Sequence, residues 1–174
     1  GKPRDGASAD LITSLGLSDC ITYVSGVSDE RIVELYAEST LAVVPSLYEG
    51  FSLPSIEAMS TGICLVATTG GALPEVTGRD GDTVLSCPPG DADALAAALR
   101  RGLDDESLRA KIGAAGRTRV VERWSWRHCA SLTVDQYREV LMMPHKVAKV
   151  HRRLDQNARK RGITMLTISC DLQA

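Results

Sequence analysis

The stretch Pro45-Ser46-Leu47-Tyr48-Glu49-Gly50-Phe51-Ser52-Leu53-Pro54-Ser55-Ile56-Glu57-Ala58-Met59 places two carboxylates eight positions apart across a strand-to-helix turn. The preceding run Leu41-Ala42-Val43-Val44 is short and apolar, which reads as a buried strand, and Pro45 with Ser46 ends it. Pro54 fits the first turn of a helix, where its missing N–H costs nothing, and Ile56, Ala58 and Met59 continue that helix. Glu49 then lies on the loop beyond the strand, and Glu57 about one turn into the helix. Between them, the backbone N–H groups of Gly50 to Ser55 and the positive end of the helix dipole make a seat for an anionic diphosphate.

The rest of the chain alternates in the same way, as a parallel sheet with helices on its faces requires. Strands are expected at 21–24, 41–44, 64–67 and 83–85, with helices at 7–15, 29–38 and 54–61. Gly16 closes the first helix. After the last strand, Pro88-Pro89-Gly90-Asp91 is a turn, with Asp91 the N-cap of an Ala-rich helix to about Leu103. Two more helices are expected at 105–122 and 125–141, the last capped by Ser125 and anchored by Trp126, Leu132, Tyr137 and Leu141.

With 174 residues and 44% hydrophobic residues, the chain supports one globular core and no more. No stretch approaches the roughly 20 apolar residues of a membrane span, and Gly1 to Gly6 lacks a signal-peptide layout. The five cysteines are odd in number and have no close metal-type spacing, so reduced thiols and a cytoplasmic location are expected, the inner face of the membrane included. Charge divides the chain: residues 1–141 carry a net −7 and residues 142–174 a net +5. The expected organisation is a domain over 1–141 and a basic extension over 142–174, helical or disordered. A helix at 145–153 and a short strand at 165–168 are its candidate elements.

The motifs resemble those of the retaining glycosyltransferases of family 4, also called group 1, which have the GT-B fold. Glu49 to Met59 matches their Glu-x7-Glu signature in the form E-G-F-[GS]-L-P-x-x-E-A-M. Val24 to Ser28 followed by Glu34-Leu35-Tyr36 resembles the strand and helix that precede it. Gly62 to Thr68 followed by Gly70-Gly71-Ala72-Leu73-Pro74-Glu75 resembles the continuation, with Cys64 where the family usually has Pro. The similarity covers about Thr22 to Leu141. It implies a Rossmann-like α/β domain, the truncated C-terminal donor-binding domain of a GT-B enzyme. An N-terminal acceptor domain would be missing, and Gly1 to Arg4 resembles the end of the donor domain's second strand.

The resemblance also implies roles. Glu49 would lie beside the donor sugar, holding its hydroxyls, as the catalytic-site carboxylate. The backbone of Gly50, Phe51, Ser52 and Leu53 would touch the sugar and distal phosphate. Glu57 would grip the two ribose hydroxyls, as an ionised carboxylate can by accepting two hydrogen bonds. Gly26 either brings its loop to the nucleotide base or makes a plain turn. The reaction implied is transfer of a sugar from a nucleotide-diphosphate donor, UDP- or GDP-linked, to a carbohydrate, lipid or small-molecule acceptor with retention. No cofactor, no metal and no nucleic-acid partner is implied. The cations that the family places on the diphosphate would lie before Gly1, so the chain alone is expected to be inactive.

Other residues have plainer readings. Glu75 is more in keeping with capping a following turn than with touching ligand. His128 and Cys129 point about 100° apart on a helix and complete no triad. Trp124 and Trp126 read as anchors before a base-stacking pair, and the basic tail as a solvated segment before a nucleic-acid or lipid contact. Two other functions stand beside transfer: a non-catalytic nucleotide-sugar-binding or interaction module with its sheet edge covered by another chain, and another GT-B sugar-nucleotide enzyme such as an epimerase, against which the signature argues.

Overall fold

The structure is a computed structural model and describes residues 6–142. The boundary between its two compact units falls between Trp124 and Ser125. The extension expected at 145–153 and 165–168, and the resemblance at Gly1 to Arg4, lie outside the described residues.

The first unit is an α/β layer structure. Helix α1 (Gly6–Ser14) and α2 (Asp29–Glu38) precede strand β1 (Ala42–Val44); α3 (Leu53–Thr61) leads to β2 (Leu65–Thr68), and α4 (Leu73–Thr77) to β3 (Leu85–Cys87). Helices α5 (Ala92–Asp104) and α6 (Glu106–Arg123) complete it. The strands are parallel in the order β1-β2-β3, with Val43 opposite Val66 and Ala67 opposite Ser86. Every residue of the central strand β2 is buried, as expected of a parallel strand covered on both faces.

Alternation along β2 divides the core in two. Leu65 and Ala67 pack with Ala58, Met59, Leu73 and Val120, whereas Val66 packs on the other face with Leu85, Ala98 and Ile112. Met59, Leu65, Leu85 and Ile112 are fully buried, each contributing about 1.5–3 kcal/mol of burial free energy. Among the described residues, no helix is long and apolar enough to cross a membrane.

The helix signals of the sequence are physically present. Asp91 Oδ1 accepts from Ala94 N–H at 2.9 Å, as an N-cap does; Asp105, expected as the first residue of its helix, instead caps α6, its Oδ1 accepting from Leu108 N–H at 2.8 Å. In the second unit, Ser125 Oγ accepts from His128 N–H at 3.3 Å and opens α7 (Trp126–Leu141). Helix α7 has no buried residue, and Trp126, Leu132, Tyr137 and Leu141, expected as anchors, are exposed.

Two strand expectations are corrected. Residues 21–24 are irregular, with Tyr23 and Val24 exposed; an apolar run becomes a strand only when a ladder takes it up, and this one does not join the β1-β2-β3 sheet. The last strand begins at Leu85 instead of Thr83. Thr83 donates from Oγ1 to the Thr77 carbonyl at 2.6 Å, and Gly81 N–H bonds the Val84 carbonyl at 2.9 Å. A turn therefore holds both residues before the ladder starts.

Candidate functional site

The carboxyl ends of β1 and β2 are adjacent, and each releases a loop on the same edge of the sheet. From β1 comes the segment 45–52 with Glu49; from β2 comes Thr69-Gly70-Gly71-Ala72. Such ends are where open parallel sheets hold ligands. The two loops pair with each other, through a bridge between Glu49 and Gly71 and a hydrogen bond from Ala72 N–H to the Glu49 carbonyl at 2.8 Å.

The glycines make this approach feasible. A Cβ on Gly70 would collide with the Leu47 carbonyl oxygen, and one on Gly71 with the Glu49 carbonyl oxygen. Gly71 also has φ +64°, in the region that side chains disfavour. Thr68 Oγ1 donates to the Ser46 carbonyl beneath them. Ser46 in turn donates from Oγ to Glu49 Oε1 at 2.7 Å, which fixes the direction of the carboxylate and leaves its other oxygen for a further donor.

Beyond Glu49, Gly50, Phe51 and Leu53 are exposed, and Ser52 is buried. Ser52 has φ +77° and ψ +76°, the one non-glycine residue with positive φ among the described residues. Its hydroxyl pairs with that of Ser55 at 2.8 Å, so no side chain caps the amino end of α3. The first-turn N–H groups of Leu53 and Ser55 thus form the positive end of a helix dipole beside Glu49. Phe51 meets Trp124 edge to face, with ring centroids 5.1 Å apart.

Glu57 is exposed on α3 and lines a cleft of about 140 Å³ with Asp29, Ile32 and Tyr36 of α2. Burial first, and the Glu57 charge second, push the Tyr36 phenol above its ordinary value. Gly26 has φ +67° three residues before α2, and nothing lies within 4 Å of where its Cβ would be. Its conformation accounts for the glycine as a turn residue. The structure thus joins Glu49 to Ser52 into one loop that enters α3 at Leu53, and sets Glu57 one turn along α3.

Glu75 does not cap a following turn. It lies within α4, which has no side-chain cap, and its carbonyl accepts from Arg119 Nη2 at 2.7 Å. A larger cleft of about 400 Å³ opens beside Thr40, Ile63, Cys64 and Arg109. These residues precede β1 and β2 or belong to α6, so the cleft lies at the amino ends of the strands, away from Glu49. The sequence reading passed over Ser46 and the contact of Trp124 with Phe51. Ser46, three residues from Glu49, carried a signal that spacing alone can supply; Trp124, 73 positions from Phe51, carried none.

Comparison with known proteins gives a consistent picture. The sequence profile described as "Glycosyl transferases group 1" matches residues 1–119. An MMP alpha-(1->4)-mannosyltransferase of Mycolicibacterium hassiacum is 44% identical over 137 residues, covering 79% of this chain and 33% of that protein. The O-antigen chain mannosyltransferase B of Escherichia coli is 39% identical over 118 residues, covering 68% of this chain and 30% of the other. Among solved structures, the sucrose-phosphate synthase of Thermosynechococcus elongatus superposes with a TM-score of 0.70 at 34% identity, over 77% of this chain and 33% of that one. The chain spans about a third of the length of the curated relatives it matches.

Proposed function

The chain belongs to the group 1 glycosyl transferases, of GT-B fold, and from that premise we propose that residues 1–141 are part of the donor-binding domain of a retaining, family 4 hexosyltransferase. The observation that carries this reading is the pairing of the Glu49 loop with Gly71 beside the uncapped amino end of α3. That arrangement sets one carboxylate and a row of N–H groups at a single edge, as a sugar diphosphate needs: a carboxylate accepts from sugar hydroxyls, and N–H groups donate to phosphate oxygens.

In the reaction, the bond from the anomeric carbon to the diphosphate oxygen breaks, and the diphosphate keeps the electron pair. The acceptor hydroxyl oxygen bonds to that carbon on the same face, and its proton passes to the departing diphosphate oxygen on that face. Positive charge develops on the sugar ring near Glu49, and negative charge on the diphosphate near the α3 terminus, where aimed dipoles act most strongly. Glu57 holds the ribose. The donor carries UDP or GDP, with no separate cofactor. Mannose is the first sugar to test, since two relatives are named mannosyltransferases. The acceptor is a carbohydrate, lipid or small molecule, recognised chiefly by an acceptor domain supplied in the whole protein.

The alternative of a nucleotide-sugar-binding module without catalysis draws on β1, which pairs on one side only among the described residues. Incubation of this chain with UDP- and GDP-mannose and a simple sugar acceptor tests the assignment. Nucleotide-sugar binding without useful turnover is expected of the donor half; robust transfer would contradict the need for an acceptor domain, and no binding would contradict the donor site.

A further inference from the structure

We propose that Trp124 is a positioning residue for the donor loop: it acts through Phe51 to hold the amides of Gly50 to Leu53 where a sugar diphosphate meets them. The inference rests on the donor-site reading above for its ligand, but its structural part stands on the contact itself. Trp124 ends α6, its N–H bonded to the Val120 carbonyl at 2.8 Å, and it packs against the core that holds Met59 and Leu65. Its ring meets Phe51 at an interplanar angle of 79°, the edge-to-face geometry that aromatic quadrupoles favour.

Two facts make that contact more than packing. The Trp124 Nε1–H is buried without a hydrogen-bond partner among the described residues. The indole therefore gains nothing there from its polar atom, and contributes through its ring. Next to Phe51, Ser52 is held at φ +77°, a strained conformation that persists only where neighbouring contacts impose it. The Ser55 hydroxyl holds Ser52 from one side, and Phe51, fixed on Trp124, holds it from the other. The side chain that closes α6 thus sets the backbone of a loop 73 positions away.

The test is amide NMR of the full chain, free and titrated with UDP and GDP, for wild type, Trp124→Leu, Trp124→Phe and Phe51→Leu. In the free protein, Trp124→Leu is expected to move the Gly50 to Leu53 amides and to leave those of β2 in place. It should also weaken diphosphate affinity about three- to tenfold. Trp124→Phe, which keeps an aromatic ring while losing the second ring of the indole and the unpaired N–H, should restore most of both. Unmoved loop amides in free Trp124→Leu would overturn the proposal whatever the nucleotides do, as would equal effects of the two Trp124 substitutions. Should Trp124→Leu unfold, Phe51→Leu decides: it must shift the Trp124 indole N–H resonance, and an unmoved resonance would overturn the proposal. A wild type that binds neither nucleotide contradicts the donor-site reading separately, and the free-state amides still judge the positioning role.

Discussion

Ala72 donates its backbone N–H to the carbonyl of Glu49 at 2.8 Å, so the loop that carries the candidate catalytic carboxylate is built on the loop that follows the next strand. The Gly70-Gly71 pair is what lets the two backbones come this close. The signature of the first loop and the glycines of the second are therefore one structural unit.

Gly71→Ala tests that unit. It forces an alanine to φ +64° and a methyl group against the Glu49 carbonyl. Strain of this kind costs on the order of 1–3 kcal/mol, so urea denaturation should show at least that loss, and nucleotide binding should weaken with it. Unchanged stability would mean that the two loops are not held together as described.

Ser52 gives a sharper contrast. Ser52→Gly relieves the left-handed backbone while losing the hydroxyl pair with Ser55, and the two effects should cancel to within about 1 kcal/mol. Ser52→Val places a β-branched side chain at the same φ and should cost about 1–3 kcal/mol. Denaturation midpoints of the two variants, compared with wild type, check the order.

Alkaline pH provides an independent probe of the α2–α3 cleft. The folded chain holds the Tyr36 pKa above the ordinary 10.0, chiefly by burial and secondly through Glu57. Because the unfolded chain ionises first, this contribution to stability is complete below the ordinary value and is lost as pH rises through the folded one. Burial also pushes the Cys64 and Cys87 thiols up from 9.0, with the same sign, so the readout is a difference: Tyr36→Phe should lose less stability on alkalinisation than wild type. Glu57→Gln should lower the pH at which the Tyr36 phenolate absorbs.

At the start of α6, Asp105→Ala removes the acceptor for the Leu108 N–H and should cost about 1 kcal/mol. Asp105→Asn should recover most of it. Thermal melts of the two variants separate the cap from the effect of charge.

These elements differ in how far the sequence discloses them. Asp91 and Ser125 announce their helices because a cap lies within a few residues of the N–H groups that it satisfies. The Glu49 loop was legible for a similar reason: Pro45 and Pro54 bracket it locally, and its motif resembles a known family. The segment at 21–24 misled because strand formation depends on a partner elsewhere in the chain, which apolar content cannot supply. Glu75 looked like a cap, yet it lies inside the helix that Leu73 and Pro74 open. On α7, spacing suggested anchors at Trp126 and Tyr137, although both are exposed; periodicity shows which residues share a helix face, not how far each is buried. Trp124 against Phe51, like Gly71 against Glu49, is a tertiary contact that no local pattern encodes.

The central claim is that the Glu49 loop and the start of α3 form the donor half-site, with Glu57 on the ribose. An amide NMR titration with UDP, GDP and ADP, repeated on Glu57→Ala, tests it most directly. The account predicts shifts at Gly50 to Leu53 and at Gly71 with UDP or GDP, and an affinity at least about tenfold weaker in Glu57→Ala, as expected when a charge-assisted pair is lost. A folded wild-type chain whose loop amides stay in place with all three nucleotides, or a Glu57→Ala variant that binds as tightly as wild type, would contradict it.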